Sequence, residues 1–326
     1  MSAVQTLEVT QAEGDMRLDR WFKAHFPHIP HGRVEKFLRT GQVRVDGARA
    51  KGNQRLEPGQ IVRVPPMPEP GEIRAEAPLS REDAAFARSM VLYQDHELIA
   101  LNKPHGLAVQ GGSKTTRHLD RLLDAFGRGD ERPRLVHRLD KDTSGVLVVA
   151  RTADSARRLS RLFQTRDLRK YYWAVALGVP SPHNGEISGF LRKSSGPDGD
   201  RERMMAARHG EEGAQHAVTH YAVADHAGRR ASWVVLSPET GRTHQLRVHM
   251  AGFGHAILGD GKYMCDIPTP EGLSRKLHLH ARKLVIPRPG QRPLVLEAPL
   301  PDHMSETFAA LGFDFDAGAR AEETLA

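Results

Sequence analysis

The stretch His137-Arg138-Leu139-Asp140-Lys141-Asp142-Thr143-Ser144-Gly145 runs directly into Val146-Leu147-Val148-Val149-Ala150. The second half is short, wholly apolar and rich in β-branched side chains, the pattern of a strand buried on both faces. The first half is polar and carries two carboxylates. Asp140 is therefore expected in a loop at the mouth of a rigid core strand, held still yet open to a ligand.

Working outward, Val91-Leu92-Tyr93 and Leu98-Ile99-Ala100-Leu101 read as two strands around a polar turn. Residues 152–164 read as a helix with Ala156, Leu159, Leu162 and Phe163 inward, Arg157, Arg158 and Arg161 outward, and Thr152 or Asp154 as its cap. Lys170 to Leu177 is a strand that puts Tyr172, Ala174 and Ala176 on one face and Tyr171, Trp173 and Val175 on the other. Ala217–Ala222, Trp233–Leu236, Leu277–Ala281 and Leu294–Leu296 add further strands. Thr243 is placed to cap a short helix that reaches Ala251 and stops at Gly252. Residues 192–215 show no sustained period and read as a long mobile insertion bearing Arg192, Lys193, Arg201 and Arg203. Many strands and few helices, without a regular βαβ rhythm, predict an α+β domain on a mostly antiparallel sheet over residues 88–305. A partly helical, acidic tail follows over 306–326.

Residues 1–15 read as a polar lead with weak alternation. From Met16 the apolar residues Leu18, Trp21 and Phe22, then Val34, Phe37 and Leu38, fall at helical spacing. Arg33, Lys36 and Arg39 recur on the outer side of the second helix, which Gly41 ends. Gln42 to Gly47 reads as a short strand closing in an Asp-Gly turn, with Ile61–Val64 as its partner. Residues 1–66 hold 11 Lys and Arg against 7 Asp and Glu, a local excess of positive charge. The Pro- and Glu-rich residues 65–87 read as a semi-rigid linker.

Over all 326 residues the formal charge is +7, which favours a polyanionic partner such as nucleic acid. The single cysteine, Cys265, excludes an internal disulfide framework and a cysteine-based zinc site, and suits a reducing, cytoplasmic setting. No apolar run approaches a membrane span. Gly111–Thr115 has Ser113 where a phosphate-binding loop needs glycine before its lysine. Thr143-Ser144-Gly145 lacks the glycine of a nucleophile elbow. His244 and His249 are not spaced i, i+4, and His278 with His280 would supply only two ligands, so no metal site is expected.

The run H-R-L-D-x-D-T-S-G resembles the signature of the pseudouridine synthase family that modifies ribosomal and transfer RNA. The similarity continues in VLYQDHELIALNKP (91–104), KYYWAVALG (170–178), GRTHQLRVH (241–249), GHAILGD (254–260) and LHARKL (279–284). Residues 16–64 resemble the S4 RNA-binding domain, whose phosphate contacts would come from Arg33, Lys36 and Arg39. The resemblance implies an isomerase with Asp140 as nucleophile on either the uracil ring or ribose C1′, and no cofactor. It further implies that Arg247, with Arg242 second, pairs with the aspartate as a buried cation. Tyr172 would stack on a flipped base and assist proton removal, Leu246 would line the base pocket, and Arg138 would fill the space the base leaves. Tyr171 is expected in packing and Asp142 as a loop cap or solvated charge. Gly106–Ser113 is most similar to the synthase C subgroup, which acts on large-subunit (23S) ribosomal RNA, with synthase D as the alternative. The other class left open is an RNA-binding or ribosome-assembly protein without activity; in either case a monomer is expected.

Overall fold

The computed structural model describes residues 4–29, 31–68, 78–111, 117–165, 167–195 and 202–325. Residues 112–115 of the glycine-rich stretch weighed as a phosphate loop, the middle of the linker and Arg201 lie outside them. The chain forms two compact units, 1–78 and 79–326.

The first unit carries β1 (Gln5–Glu8), α1 (Leu18–His25), α2 (His31–Arg39), β2 (Arg44–Val45), β3 (Ala48–Arg49) and β4 (Ile61–Val64). Its four strands are ordered β1-β4-β2-β3. Trp21, Phe22, Val34, Phe37 and Leu38 form its core, so both helices bury the stripes that their spacing predicts. Arg33, Lys36 and Arg39 stay exposed. Asp46 and Gly47 both adopt positive φ, the geometry of a tight hairpin turn. The expected polar lead is different: β1 pairs along β4, and Val9 is buried beside it. Four residues of weak alternation are too few to reveal a strand whose stability comes from a partner more than fifty residues away.

The second unit begins inside the expected linker. Ser80 caps α3 (Arg81–Ser89), accepting a hydrogen bond from the Asp83 N–H. Then come β5 (Val91–Gln94), β6 (Leu98–Lys103), α4 (Leu119–Leu122), β7 (Arg134–Leu135), β8 (Ser144–Ala150), α5 (Ala153–Leu162) and β9 (Arg169–Leu177). They are followed by β10 (Asn184–Ser195), β11 (Glu202–Ala207), β12 (Gln215–Ala227), β13 (Ala231–Pro238), α6 (Gln245–Gly252), β14 (Leu279–Ile286), β15 (Leu294–Glu297), α7 (Asp302–Leu311) and α8 (Asp316–Thr324). One sheet runs β11-β10-β12-β13-β9-β14-β8-β6-β5, with β15 on β14 and β7 on β8. Every pairing among the described residues is antiparallel except β14 with β8.

That parallel junction is where the Asp140 loop enters the sheet. Ser144 and Gly145 sit beside His280 and Ala281, and Ala281 faces Tyr172 across the next pair, so Tyr172 lies two strands from the loop. Gly145 has φ +111°, and a Cβ there would stand 2.2 Å from the Ala281 carbonyl oxygen. Only glycine permits so close a backbone approach.

The two faces of β9 divide as its alternation predicts. Tyr171, Trp173 and Val175 pack with Trp233, Phe308 and Phe313, while Ala174 and Ala176, with Tyr172 at their edge, pack under Leu246 and Met250 of α6. The expected tail belongs to the first of these cores. A Cβ on Gly318 would meet Trp233 and Trp173 at 2.5 and 2.6 Å, and the Trp173 indole donates to Glu322. Residues 192–215 also differ from the insertion expected: Arg192–Ser195 pair with Glu202–Met205 as the outer hairpin of the sheet. Its alternating residues are largely polar because an edge hairpin buries little, which hides the period.

Three histidines of this unit, His249, His278 and His280, are at least 95% buried, and burial lowers each to a pKa of about 4. Below pH about 6.5 the unfolded chain binds protons that these rings refuse in the native state. Stability should therefore fall by about 1.4 kcal/mol per pH unit per histidine as pH drops from about 6.5 towards 4, and the contribution of these three should level off below. Melting temperatures measured across this range should show that slope. Phe substitutions at His278 and His280 should flatten it if the variants fold, and an unchanged slope would refute the assignment.

Candidate active site

Asp140 opens onto a cavity of ≈ 90 Å³ lined by Arg138, Thr143, Tyr172, Arg242, His244, Leu246, Arg247 and Leu279 among others. This is small beside ligand sites of about 300–1,000 Å³ and suits a single planar ring. A larger hollow of ≈ 780 Å³ follows the 256–275 loop, lined by Ile267, Pro268, Pro270 and loop glycines together with Cys265, Glu271 and Ser274, and it does not include Asp140. The chemistry belongs to the smaller cavity.

The Asp140 loop is fixed from several sides. His137 Nε2 accepts the Val148 N–H at 2.8 Å and its ring stacks on Phe163, which pins the start of the loop to β8. Burial first, and the Lys170 charge second, hold this imidazole at a pKa of about 3, so it stays an acceptor. The Asp140 carbonyl accepts the Thr143 N–H. Ser144 donates to His280 Nδ1, whose other nitrogen donates to the Ala298 carbonyl. His278 is likewise committed to the Lys276 carbonyl and Thr307, so neither of the paired histidines has a nitrogen to offer a metal.

Lys103, at the end of β6, is fully buried beneath the loop. Its Nζ donates to the carbonyls of Pro104, Leu107 and Lys141 at 3.0, 2.8 and 2.9 Å. Burial drives its pKa down to about 7, while Asp142 and then Asp140 pull it back up. Three donated hydrogen bonds require the ammonium form, so the geometry favours the charge. Asp142 thus serves as a counter-charge to Lys103 and does not line the cavity.

Tyr172 lines the cavity from β9. Burial, and secondarily the charge of Asp140, push its phenol far above the ordinary range, so it remains protonated. A phenolate base is disfavoured; the ring and an O–H donor are what this side chain offers. Tyr171 is buried on the opposite face.

The helix carrying Leu246 and Arg247 is held by Gln245. Its side-chain oxygen accepts from Thr240 Oγ1 and the Arg242 N–H, and its nitrogen donates to the Val218 carbonyl and Thr219 Oγ1. The expected cap is displaced by one residue: α6 starts at Gln245, and His244 occupies the cap position in left-handed backbone. Leu246 is buried against Ala174, Ala176 and Leu279 with one edge on the cavity.

Arg247 departs from the expected pairing. Its Nε and Nη2 donate to the two oxygens of Asp260, both at 2.7 Å, with the two side chains 5% and 1% exposed. The Asp140 charge adds to the stabilisation of this guanidinium only after burial and Asp260. Among the described residues, the basic group within ion-pair reach of Asp140 is His244, with Nε2 at 3.9 Å from Oδ2. Arg242 lines the rim and donates to the His216 carbonyl, and Arg138 is exposed beside it. Lys103, His137, His244 and Asp260 had no role in the sequence reading, although all four fall inside motifs that it singled out.

Breaking a buried ion pair from one side costs about 3–5 kcal/mol, because the remaining charge is left uncompensated. Asp260→Asn should therefore lower unfolding free energy by about 3 kcal/mol in denaturant melts. An unchanged midpoint would mean that Arg247 has another counter-charge available.

The family described as RNA pseudouridylate synthase matches residues 97–252. The chain is 34% identical over 375 residues to RNA pseudouridine synthase 4, mitochondrial, of Arabidopsis thaliana, covering 90% of this chain and 78% of that one. It is 31% identical to ribosomal large subunit pseudouridine synthase C of Vibrio cholerae, covering 94% and 97%. Among solved structures, Human RNA Pseudouridylate Synthase Domain Containing 4 aligns with a TM-score of 0.59 at 32% identity, covering 72% of this chain and 98% of that one. A sheet with one parallel junction, an aspartate loop at that junction and these relatives agree: the chain belongs to the RNA pseudouridine synthase family and is an enzyme of that activity.

Proposed function

We propose that this enzyme converts uridines of large-subunit ribosomal RNA to pseudouridine, with Asp140 as the nucleophile. The observation that carries the site assignment is the convergence of Asp140, Tyr172, Leu246 and Arg247 on one small cavity whose rim holds Arg138 and Arg242. The target is supported by similarity over most of both chains to several bacterial proteins named ribosomal large subunit pseudouridine synthase C.

The reaction breaks the bond between ribose C1′ and uracil N1, turns the base, and joins C1′ to C5. A proton leaves C5 and N1 gains one, so the balance needs neither oxidant nor reductant. Whether the carboxylate adds to the ring or to C1′, the uridine must first leave its stack. The cavity accepts the base between the Tyr172 ring and the Leu246 side chain, while Arg138 at the mouth is placed to hold the vacated stack. Arg247, fixed by Asp260, contributes positive potential without moving, the preorganisation that charge stabilisation requires. Tyr172 supplies a platform and a hydroxyl donor.

The N-terminal unit fits an S4-like phosphate-binding role: Arg33, Lys36 and Arg39 are exposed along one side of α2, opposite its buried stripe. Such a surface adds affinity without base contacts.

Asp140→Asn should abolish pseudouridine formation, a loss of more than about 1,000-fold, while RNA affinity stays within a few-fold. Wild-type-like conversion by that variant would reject the nucleophile. Replacing Arg33, Lys36 and Arg39 together by Gln should weaken RNA binding and reduce the log–log salt slope by about 2 while conversion of a short saturating substrate is kept. An unchanged slope would remove the N-terminal unit from the interface. Mapping pseudouridines on large-subunit RNA from a strain lacking the gene tests the target: no missing site would overturn it.

A further inference from the structure

His244 lines the cavity and has no part in the reaction as described so far. It stands at the head of α6 with φ +51° and ψ 18°, a backbone that most L-residues avoid and that Asn, Asp and His adopt more readily. That conformation sends its ring between two partners. Nδ1 lies 2.8 Å from the Tyr263 hydroxyl, and Nε2 lies 3.9 Å from Asp140 Oδ2. The Tyr263 oxygen in turn accepts the backbone N–H of Met204 on β11 at 2.9 Å.

These contacts decide where the protons are. A phenol holds its O–H in the ring plane and leaves one good in-plane lone pair. Met204 occupies that lone pair, so the Tyr263 proton points to His244 Nδ1, which must then be the acceptor. The imidazole hydrogen is consequently on Nε2, the nitrogen that faces the carboxylate. The opposite tautomer would set a lone pair against an anionic oxygen. Both ends of the ring select the same form.

Resting on the reading of Asp140 as nucleophile, we propose that His244 is a positioning residue: it orients the Asp140 carboxylate through Nε2–H, and Tyr263, itself aimed by β11, fixes the tautomer that does so. The charged groups around His244 are Asp140 and Asp260, which favour its cation, and Arg247 and Lys262, which oppose it, with the Tyr263 phenol at Nδ1. Burial outweighs them and lowers its pKa from the usual histidine value, in keeping with a neutral ring near neutrality. The hairpin formed by β10 and β11 is thereby connected to the reacting centre by two hydrogen bonds, Met204 to Tyr263 and Tyr263 to His244, and then across the 3.9 Å from His244 Nε2 to Asp140.

Tyr263→Phe removes the hydroxyl and keeps the ring that packs edge-on to His244 and under Arg247. In the full-length enzyme acting on its RNA, kcat should fall about 10-fold at pH 8 with KM within twofold. As pH falls through the His244 pKa, which burial holds below the usual histidine value, the imidazole gains its second proton, Nε2–H is restored whatever happens at Nδ1, and the deficit relative to wild type should shrink below about threefold. His244→Asn tolerates the backbone but cannot reach Asp140, so its deficit should persist at every pH. Nitrogen-15 spectra of the wild-type ring should show the proton on Nε2, and Tyr263→Phe should show mixed tautomers. If both variants match wild type at all pH values while Asp140→Asn is inactive, His244 is idle and the nucleophile stands. A Tyr263→Phe deficit that does not change with pH would overturn the assignment of proton placement. Should Asp140→Asn itself turn over normally, the underlying reading fails instead.

Discussion

The bidentate pair between Arg247 and Asp260 is the constraint on which the cavity depends. Both groups are almost wholly removed from water, and their desolvation is repaid only because each carboxylate oxygen meets a guanidinium N–H head-on. Asp260 Oδ1 also accepts the backbone N–H groups of Lys262 and Tyr263, so the pair fixes the 260–263 turn as well as α6. A buried ion pair of this kind adds little net stability. What it gives is a single arrangement: α6 cannot rotate or slide without stranding a charge, and Leu246, Arg247 and His244 hold their places on the cavity wall.

The same pair determines what Arg247 can do for Asp140. With its Nε–Nη2 edge taken up by Asp260, the guanidinium makes no hydrogen bond to Asp140 and acts on it through its field. Two other groups complete the surroundings. Lys103 supports the loop from below by donating to three carbonyls, and His244 faces the carboxylate from the side. Support, field and orientation thus come from three different elements, β6, α6 and the turn before α6.

How much of this could be read from the letters depends on the range of the interaction. The loop and strand at 137–150 were legible because apolar continuity is a local property, and the two faces of β9 followed from simple alternation. Gly145 was visible as a residue but its reason was not: the close approach of Ala281 comes from a strand 136 residues later. Arg247 illustrates the same limit. Its membership of the cavity follows from its motif, while its partner was misjudged because Asp140 and Asp260 are both acidic, both in motifs, and distinguishable only by where the 254–263 turn passes. The cap is His244 and not Thr243, because a left-handed cap leaves no compositional mark when histidine occupies it. At the two ends of the chain, β1 and α8 are stabilised by distant partners, and polar sequences of that kind read as loose until the partner is known.

The protonation states form one consistent set. His137 must be neutral to accept the Val148 N–H, and its depressed pKa keeps it so. Lys103 must be charged to donate three times, and the carbonyl cage offsets the burial that opposes it. Tyr172 must remain a phenol beside Asp140, since a phenolate there would add a second anion to a cavity already containing one. The remaining freedom is the single proton of His244, and Tyr263 directs it towards the carboxylate. His137 and Lys103 are fixed by bonds behind the cavity wall, while Tyr172 and His244 face the cavity itself. That division, with polar groups satisfied behind the wall and directed in front of it, is what lets so small a cavity be both rigid and open.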